Sequence, residues 1–220
     1  MKKKIFFLCL SFIFLKTQGQ ELAENQVGAW YMYNGTHRLS EKIKIMTSAH
    51  VRYFELASEY QQEIYRLGFN YAFTKNINFT TGFVYSITDT SYKKVVPNLY
   101  EYRFYQDLHL EKYWNKIRFK HRIRLAQRFK RPNFTNEIQH RIRYGLFLKY
   151  PLKKNLELYA FNEVFLRFKS QVFEQNRIGT GILKKIDRTL KLRLGYFYNQ
   201  FTNLELHRIQ LGIIINTNHS

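Results

Sequence analysis

The stretch Ile117-Arg118-Phe119-Lys120-His121-Arg122-Ile123-Arg124-Leu125-Ala126-Gln127-Arg128-Phe129 alternates with a period of two. Ile117, Phe119, Ile123, Leu125 and Phe129 share one parity; Arg118, Lys120, Arg122, Arg124 and Arg128 share the other. Side chains on a strand point to opposite faces in turn, so this is a strand with one apolar and one basic face. A helix would scatter the same cations around its circumference. The rhythm continues outward in both directions. Before it, Tyr100, Tyr102, Phe104, Leu108 and Leu110 alternate with Glu101, Arg103, Asp107, His109 and Glu111. After it, Ile142, Tyr144, Leu146, Leu148 and Tyr150 alternate with Arg141, Arg143 and Lys149, and Leu190, Leu192 and Leu194 alternate with Lys191 and Arg193.

Eleven such segments are legible: 27–36, 43–55, 60–73, 77–88, 100–113, 117–129, 137–150, 156–168, 175–184, 189–199 and 204–216. Most exceed the roughly five or six residues of an ordinary soluble strand and suit the roughly nine to eleven that cross a bilayer when tilted. Short connections rich in Lys, Asn, Asp and Arg (38–42, 74–76, 114–116, 151–155, 187–188) alternate with generally longer ones (56–59, 88–99, 130–136, 169–173, 200–203). Each repeat is one long hairpin, unlike the four short strands of a propeller blade. The expected fold is all-β: an antiparallel up-and-down transmembrane β-barrel of about 10–12 long strands, short turns at one rim and longer loops at the other. An even count is expected, with 91–96 or 20–28 as the twelfth strand, or ten strands with one segment outside the wall. Aromatics near strand ends are expected to form interfacial girdles: Trp30, Tyr31, Tyr33, Tyr53, Tyr60, Tyr71, Phe73, Tyr113, Trp114, Tyr150, Tyr196 and Tyr198. The end of the chain, from Gln210 through Gly212 to Ile215, follows part of a barrel-assembly signal, which Thr217 breaks.

Length and composition agree. The 220 residues carry 45% apolar side chains, 18% aromatics, one cysteine and a net charge of +20, which suits one folded domain and excludes a disordered chain or a disulfide scaffold. Lys2, Lys3 and Lys4, the apolar run 5–15 and the segment Thr17-Gln18-Gly19 have the layout of a secretory signal peptide. Residues 1–19 are therefore read as a leader and 20–220 as a single outer-membrane barrel domain. Removal of the leader also removes Cys9, and a secreted domain free of cysteine fits a bacterial envelope.

The segment Ala29-Trp30-Tyr31-Met32-Tyr33-Asn34-Gly35-Thr36-His37-Arg38-Leu39-Ser40-Glu41-Lys42, followed by Arg52-Tyr53-Phe54-Glu55, resembles the DUF2490 family of Bacteroidetes envelope proteins. Tyr102-Arg103-Phe104, Arg122-Ile123-Arg124 and Arg141-Ile142-Arg143-Tyr144 are similar to its arginine-bearing strands, so the resemblance covers nearly all of the chain after the leader. It implies an outer-membrane β-barrel of unknown function and supplies no catalytic residues.

The charged face holds the candidate site. Arg103, Arg118, Lys120, Arg122, Arg124, Arg128, Arg141 and Arg143 are read as a lumen-facing basic cluster, with Glu101, Asp107, Glu111, Glu157 and Glu163 as acidic partners across neighbouring strands. Such a lumen is either a structural filling of base–acid ladders or a channel that attracts anions. Nucleic acid is not the expected partner, because the bases alternate with apolar residues along whole strands and the leader exports the chain. Outer-membrane lipids, and the barrel-assembly machinery during insertion, are. A catalytic alternative is an outer-membrane lipid hydrolase using Ser48 and His50, which share one strand face; His121 and His140 are two more histidines that neighbouring strands could bring together. A soluble secreted β protein binding anionic ligands is a further alternative. No G-x-S-x-G, H-E-x-x-H or phosphate-loop motif occurs, and no metal or cofactor is expected.

Overall fold

The structure, a computed structural model, describes residues 22–131, 138–169 and 171–219. The proposed leader and its cleavage point fall outside these residues. After a 3-10 turn at Ala23–Asn25 come eleven strands: β1 (Val27–Arg38), β2 (Ile43–Tyr53), β3 (Tyr60–Ala72), β4 (Ile77–Thr88), β5 (Leu99–Trp114), β6 (Ile117–Arg131), β7 (Gln139–Lys153), β8 (Leu156–Arg167), β9 (Phe173–Lys185), β10 (Leu190–Phe201) and β11 (Glu205–Asn218). Sequential strands pair antiparallel, and β1 pairs with β11 in parallel, from Val27 opposite His207 to Arg38 opposite Asn218. The sheet is thereby a closed barrel with no free edge.

The expected even count is corrected to eleven. A parallel ladder satisfies backbone groups as an antiparallel one does, so an odd ring closes once its first and last strands run the same way. Among the described residues neither candidate forms a twelfth strand, and Val27 and Gly28 belong to β1. Leu22 and Ala23 accept the backbone N–H bonds of Asn25 and Gln26 in the 3-10 turn. Residues 91–96 form a loop in which Asp89 accepts the Ser91 N–H at 2.9 Å and the Ser91 hydroxyl donates to the Lys94 carbonyl at 2.6 Å. Pro97, which lacks an N–H, follows.

The two rims differ as alternating turn lengths require. Asn115-Lys116 alone joins β5 to β6, with Asn115 in the left-handed region at φ 52°. At the other rim residues 89–98 join β4 to β5. Three bulges interrupt the ladders, at Arg52/Tyr53, Pro151/Lys153 and Phe165/Leu166.

The outer surface is apolar. Tyr65, Leu67, Phe83, Leu108, Ile123, Leu125, Tyr144, Ile178, Leu192, Leu194 and Ile213 are all exposed. Among the described residues, outward positions within the strands carry formal charge only near strand ends, at Glu63, Lys112, Arg131, Lys153, Lys184 and Glu205. Uncharged polar groups between them are matched locally. Gln106 and Gln127 exchange amide bonds at 3.3 and 3.4 Å, and Asn162 donates to Asn176 Oδ1 at 2.8 Å and to the Arg177 carbonyl at 3.1 Å. Thr180 donates to the Tyr159 carbonyl, and His121 and His207 pair with Tyr144 and Tyr196. Aromatics mark the rims: Phe73, Tyr113, Trp114 and Tyr150 are exposed at the short-turn end, and Tyr31, Tyr53 and Tyr60 stack edge-on at the other. Trp30 is a correction, because it lies inside the barrel and is only 6% exposed. Its even position in β1 shares parity with interior Gly28, whereas Tyr31 faces out.

Aromatic side chains fill the centre. Trp30, Tyr159, Phe161, Leu183 and Phe197 form one buried cluster, and Ile64, Val84, Tyr105 and Ala126 another. Tyr159 on β8 lies across Gly181 of β9 and Gly195 of β10, its partners in one row, and its hydroxyl donates to Gln210 Oε1 on β11 at 2.8 Å. A Cβ at Gly195 would overlap that hydroxyl. Tyr105 on β5 lies in the same way across Gly82 and Gly68. Each tyrosine thus packs against strands it does not pair with, and glycine is what allows the approach.

Candidate functional site: an arginine-lined lumen

The inward parity of β5 to β8 carries the charge. Asp107 sits opposite Arg124 in the β5–β6 register and accepts from its Nε at 2.5 Å and its Nη2 at 2.6 Å. Glu101 accepts from Arg103 at 2.7 and 2.9 Å and from Arg128 at 2.7 and 2.9 Å. Arg122, Gly145 and Glu163 occupy one row across β6, β7 and β8; the glycine leaves the space in which the outer two meet. Arg143 approaches Glu163 at 3.5 Å, Arg118 and Lys120 approach Glu111 at 3.5 Å, and Lys191 approaches Glu157 at 3.2 Å. Arg141 pairs instead with Glu174, at 3.3 Å.

Glu174 also binds Arg128 at 2.9 Å, so Arg103, Glu101, Arg128, Glu174 and Arg141 form one continuous chain. Strand parity alone would turn Glu174 outward. It is the extra residue of the β8–β9 bulge, where Gln175 faces Phe165 and Phe173 faces Leu166, and the bulge re-aims it inward. Arg52, Arg66, Arg177, Arg193 and Arg208 also line the interior but were not singled out from sequence. On β3 the signal is faint, since Arg66 shares its face with Ile64, Gly68 and Asn70. On β9 and β10 it was available: Arg177 and Arg193 have the parity opposite Ile178, Ile182, Leu192 and Leu194.

Arginine exceeds carboxylate inside, and aromatic faces take part of the excess. Arg52 stacks 3.5 Å from the Trp30 ring centroid and Arg177 lies 4.9 Å from it. Phe165, fully buried, has Arg143, Arg177 and Arg141 at 4.0, 4.6 and 5.4 Å. Arg124 lies 4.4 Å from Tyr105 and Arg122 4.9 Å from Phe147. A desolvated guanidinium over an aromatic face is stabilised by about 2 kcal/mol or more.

Cavities remain inside the barrel, two of which share lining residues. A polar one of about 450 Å³ extends to Lys75 in the β3–β4 turn, so it belongs to the short-turn rim; Lys44, Asn78, Glu111, Arg118 and Lys120 also line it. It shares Asn34, Arg66, Arg122 and Arg124 with a chamber of about 240 Å³. Around the chamber stand Arg52, Arg66, Arg122, Arg124, Arg143, Lys149, Arg177 and Arg193, with Glu163 as the carboxylate and Trp30, Phe147, Tyr159 and Phe161 as the aromatic wall. At the long-loop rim Phe54 turns into the barrel and is 6% exposed, with Tyr92 edge-on to it at 5.6 Å and Arg208 at 5.9 Å.

The hydrolase alternative meets a geometric obstacle. Ser48 and His50 do share a face, but it is the interior one, where they are 7% and 5% exposed. Ser48 accepts from Arg66 at 3.4 Å and His50 Nε2 contacts Asn34 Oδ1 at 3.1 Å, so neither meets the outer surface where a lipid ester would lie. His121 and His140 do not meet: they stand opposite Leu146 and Gln127, six register positions apart.

No curated protein matches the chain. Residues 27–210 match a family described as "Protein of unknown function (DUF2490)". That span runs from the first residue of β1 into β11 and takes in the whole arginine-lined interior, so the chain belongs to the DUF2490 family.

Proposed function

We propose that this is an outer-membrane barrel with an occluded, cation-lined lumen, acting as a structural or ligand-holding element of the envelope and not as an open diffusion pore. The observation that carries the membrane assignment is the outer surface. Its outward positions between the strand ends are uncharged and mostly apolar, and amides and hydroxyls among them pair with each other or with backbone carbonyls, as a medium without water demands. Aromatics at both rims suit the two lipid–water interfaces. Outer-membrane lipids would cover this surface, and the barrel-assembly machinery would insert it.

Occlusion is supported by the fully buried Phe165 and Phe197, the aromatic cluster around Trp30 and the inward turn of Phe54. The test is cell fractionation followed by electrophoresis of the detergent-extracted protein with and without boiling, then reconstitution in planar bilayers. Recovery with the outer membrane and heat-dependent migration are expected, with no stable conductance steps. Recovery in the aqueous fraction would remove the membrane assignment, and sustained anion-selective steps would remove the occlusion.

A further inference from the structure

We infer that the chamber beside Trp30 is a binding site for a phosphate group. This rests on the lumen being a blind chamber and names what occupies it. Arg52, Arg66, Arg177 and Arg193 line the chamber, and among the described residues none has a carboxylate within ion-pair distance. Their bonds go to neutral groups: Arg52 donates to Gln62 at 2.6 Å, Arg66 to Ser48 at 3.4 Å, and Arg177 to Gln175 and Asn199 at 3.1 and 3.3 Å. The Nε groups of Arg52, Arg66 and Arg193 and the Asn34 amide nitrogen are buried donors without an acceptor among the described residues.

Water can satisfy an N–H, but it cannot offset a cluster of enclosed positive charges. The ligand must therefore be an anion with acceptors pointing several ways. A chloride offers no directional acceptors and a carboxylate offers two oxygens in one plane. A phosphate carries up to two charges on a tetrahedron of oxygens and matches several guanidinium forks at once. About 240 Å³ admits it with a small organic substituent against the aromatic wall. The short-turn cavity, which shares Asn34, Arg66, Arg122 and Arg124 with the chamber, would supply entry, and Lys44, Lys75 and Lys120 along it would draw an anion inward.

The test is calorimetric titration of the full chain in detergent with inorganic phosphate, glycerol 3-phosphate and sodium chloride at matched ionic strength. One saturable site per chain is expected for a phosphate compound and none for chloride. Tighter binding of inorganic phosphate identifies a free-phosphate site, and tighter binding of the ester a site for a phosphorylated compound. The double variant Arg66→Gln/Arg193→Gln should weaken binding at least tenfold, and Lys154→Gln in the β7–β8 turn should not. Heat-dependent migration reports whether each variant folds. Should the double variant not fold, Arg193→Lys, which keeps the charge but loses the fork, is expected to weaken binding several-fold. The inference is overturned by no saturable heat from either phosphate compound, by an equal response to chloride, or by a folded double variant that binds like the parent. Saturable binding alongside bilayer conductance would remove the occlusion and leave the site; absent binding in a non-conducting barrel would do the reverse.

Discussion

At the scale of single residues, interior contacts combine close backbone approach with buried charge. Tyr159 reaches Gln210 only because positions 181 and 195 lack side chains. Gly195→Ala is expected to lift the ring and lower stability by roughly 1–3 kcal/mol, as overpacking does. Tyr159→Phe, which keeps the ring and loses one hydrogen bond, should cost about 1 kcal/mol. Urea midpoints of detergent-folded protein would rank the two. Glu101 is a harsher position, because two buried guanidiniums, Arg103 and Arg128, depend on it. Glu101→Gln leaves Arg103 without a carboxylate and Arg128 with Glu174 alone, and a loss of about 3–5 kcal/mol is expected from the same measurement.

At the scale of strands and loops, period-two alternation made the wall legible and local exceptions did not. The strand positions, the direction of each hairpin and the shared inward face of Asp107 and Arg124 all follow from parity in the sequence, whereas their pairing is set by the register. Glu174 was not readable, because a bulge changes which face a residue meets and no residue type announces a bulge. An even number was expected for a related reason: eleven segments are legible, but only the register of Val27 with His207 reveals that an odd ring closes in parallel. A disulfide tests that closure. Tyr31 and Leu211 are neighbours across the seam, both facing out, so Tyr31→Cys with Leu211→Cys should cross-link on mild oxidation of folded protein and not of boiled protein.

The β2–β3 loop offers a titration. Hydrogen bonds from the Ser58 and Tyr92 hydroxyls, and the nearby Lys93 ammonium, hold the Glu55 carboxyl below its usual value. A carboxyl lowered in the folded state lends its stabilisation above the unfolded value, and this is lost as pH falls through the folded one. The loop contacts should therefore be intact at neutral pH and loosen in acid. Tyr92→Phe should move the Glu55 carboxyl titration, followed by NMR, to higher pH.

For the molecule as a whole, the inside-out distribution separates a lipid-covered barrel from a soluble one. Leu125 faces outward near the middle of β6 and is 39% exposed. In water, arginine at such a position would alter stability by no more than about 0.5 kcal/mol. In a bilayer it should cost roughly 2–4 kcal/mol, so Leu125→Arg in lipid vesicles against the same change in denaturant-refolded aqueous samples discriminates between the two. The interior obeys the opposite logic, with guanidiniums paired with carboxylates or laid on aromatic rings around two small apolar clusters.

The parallel seam has one further outcome. In a ring with an even number of strands the chain enters and leaves at the same rim; here Val27 starts at the long-loop rim and Asn218 finishes at the short-turn rim. An epitope tag fused ahead of Val27 would be displayed to one compartment and a tag fused behind Asn218 to the other. In the membrane placement proposed above, a single unbroken polypeptide would hand one terminus to antibodies added outside intact cells and keep the other for reagents admitted only after lysis, with no insertion into any loop.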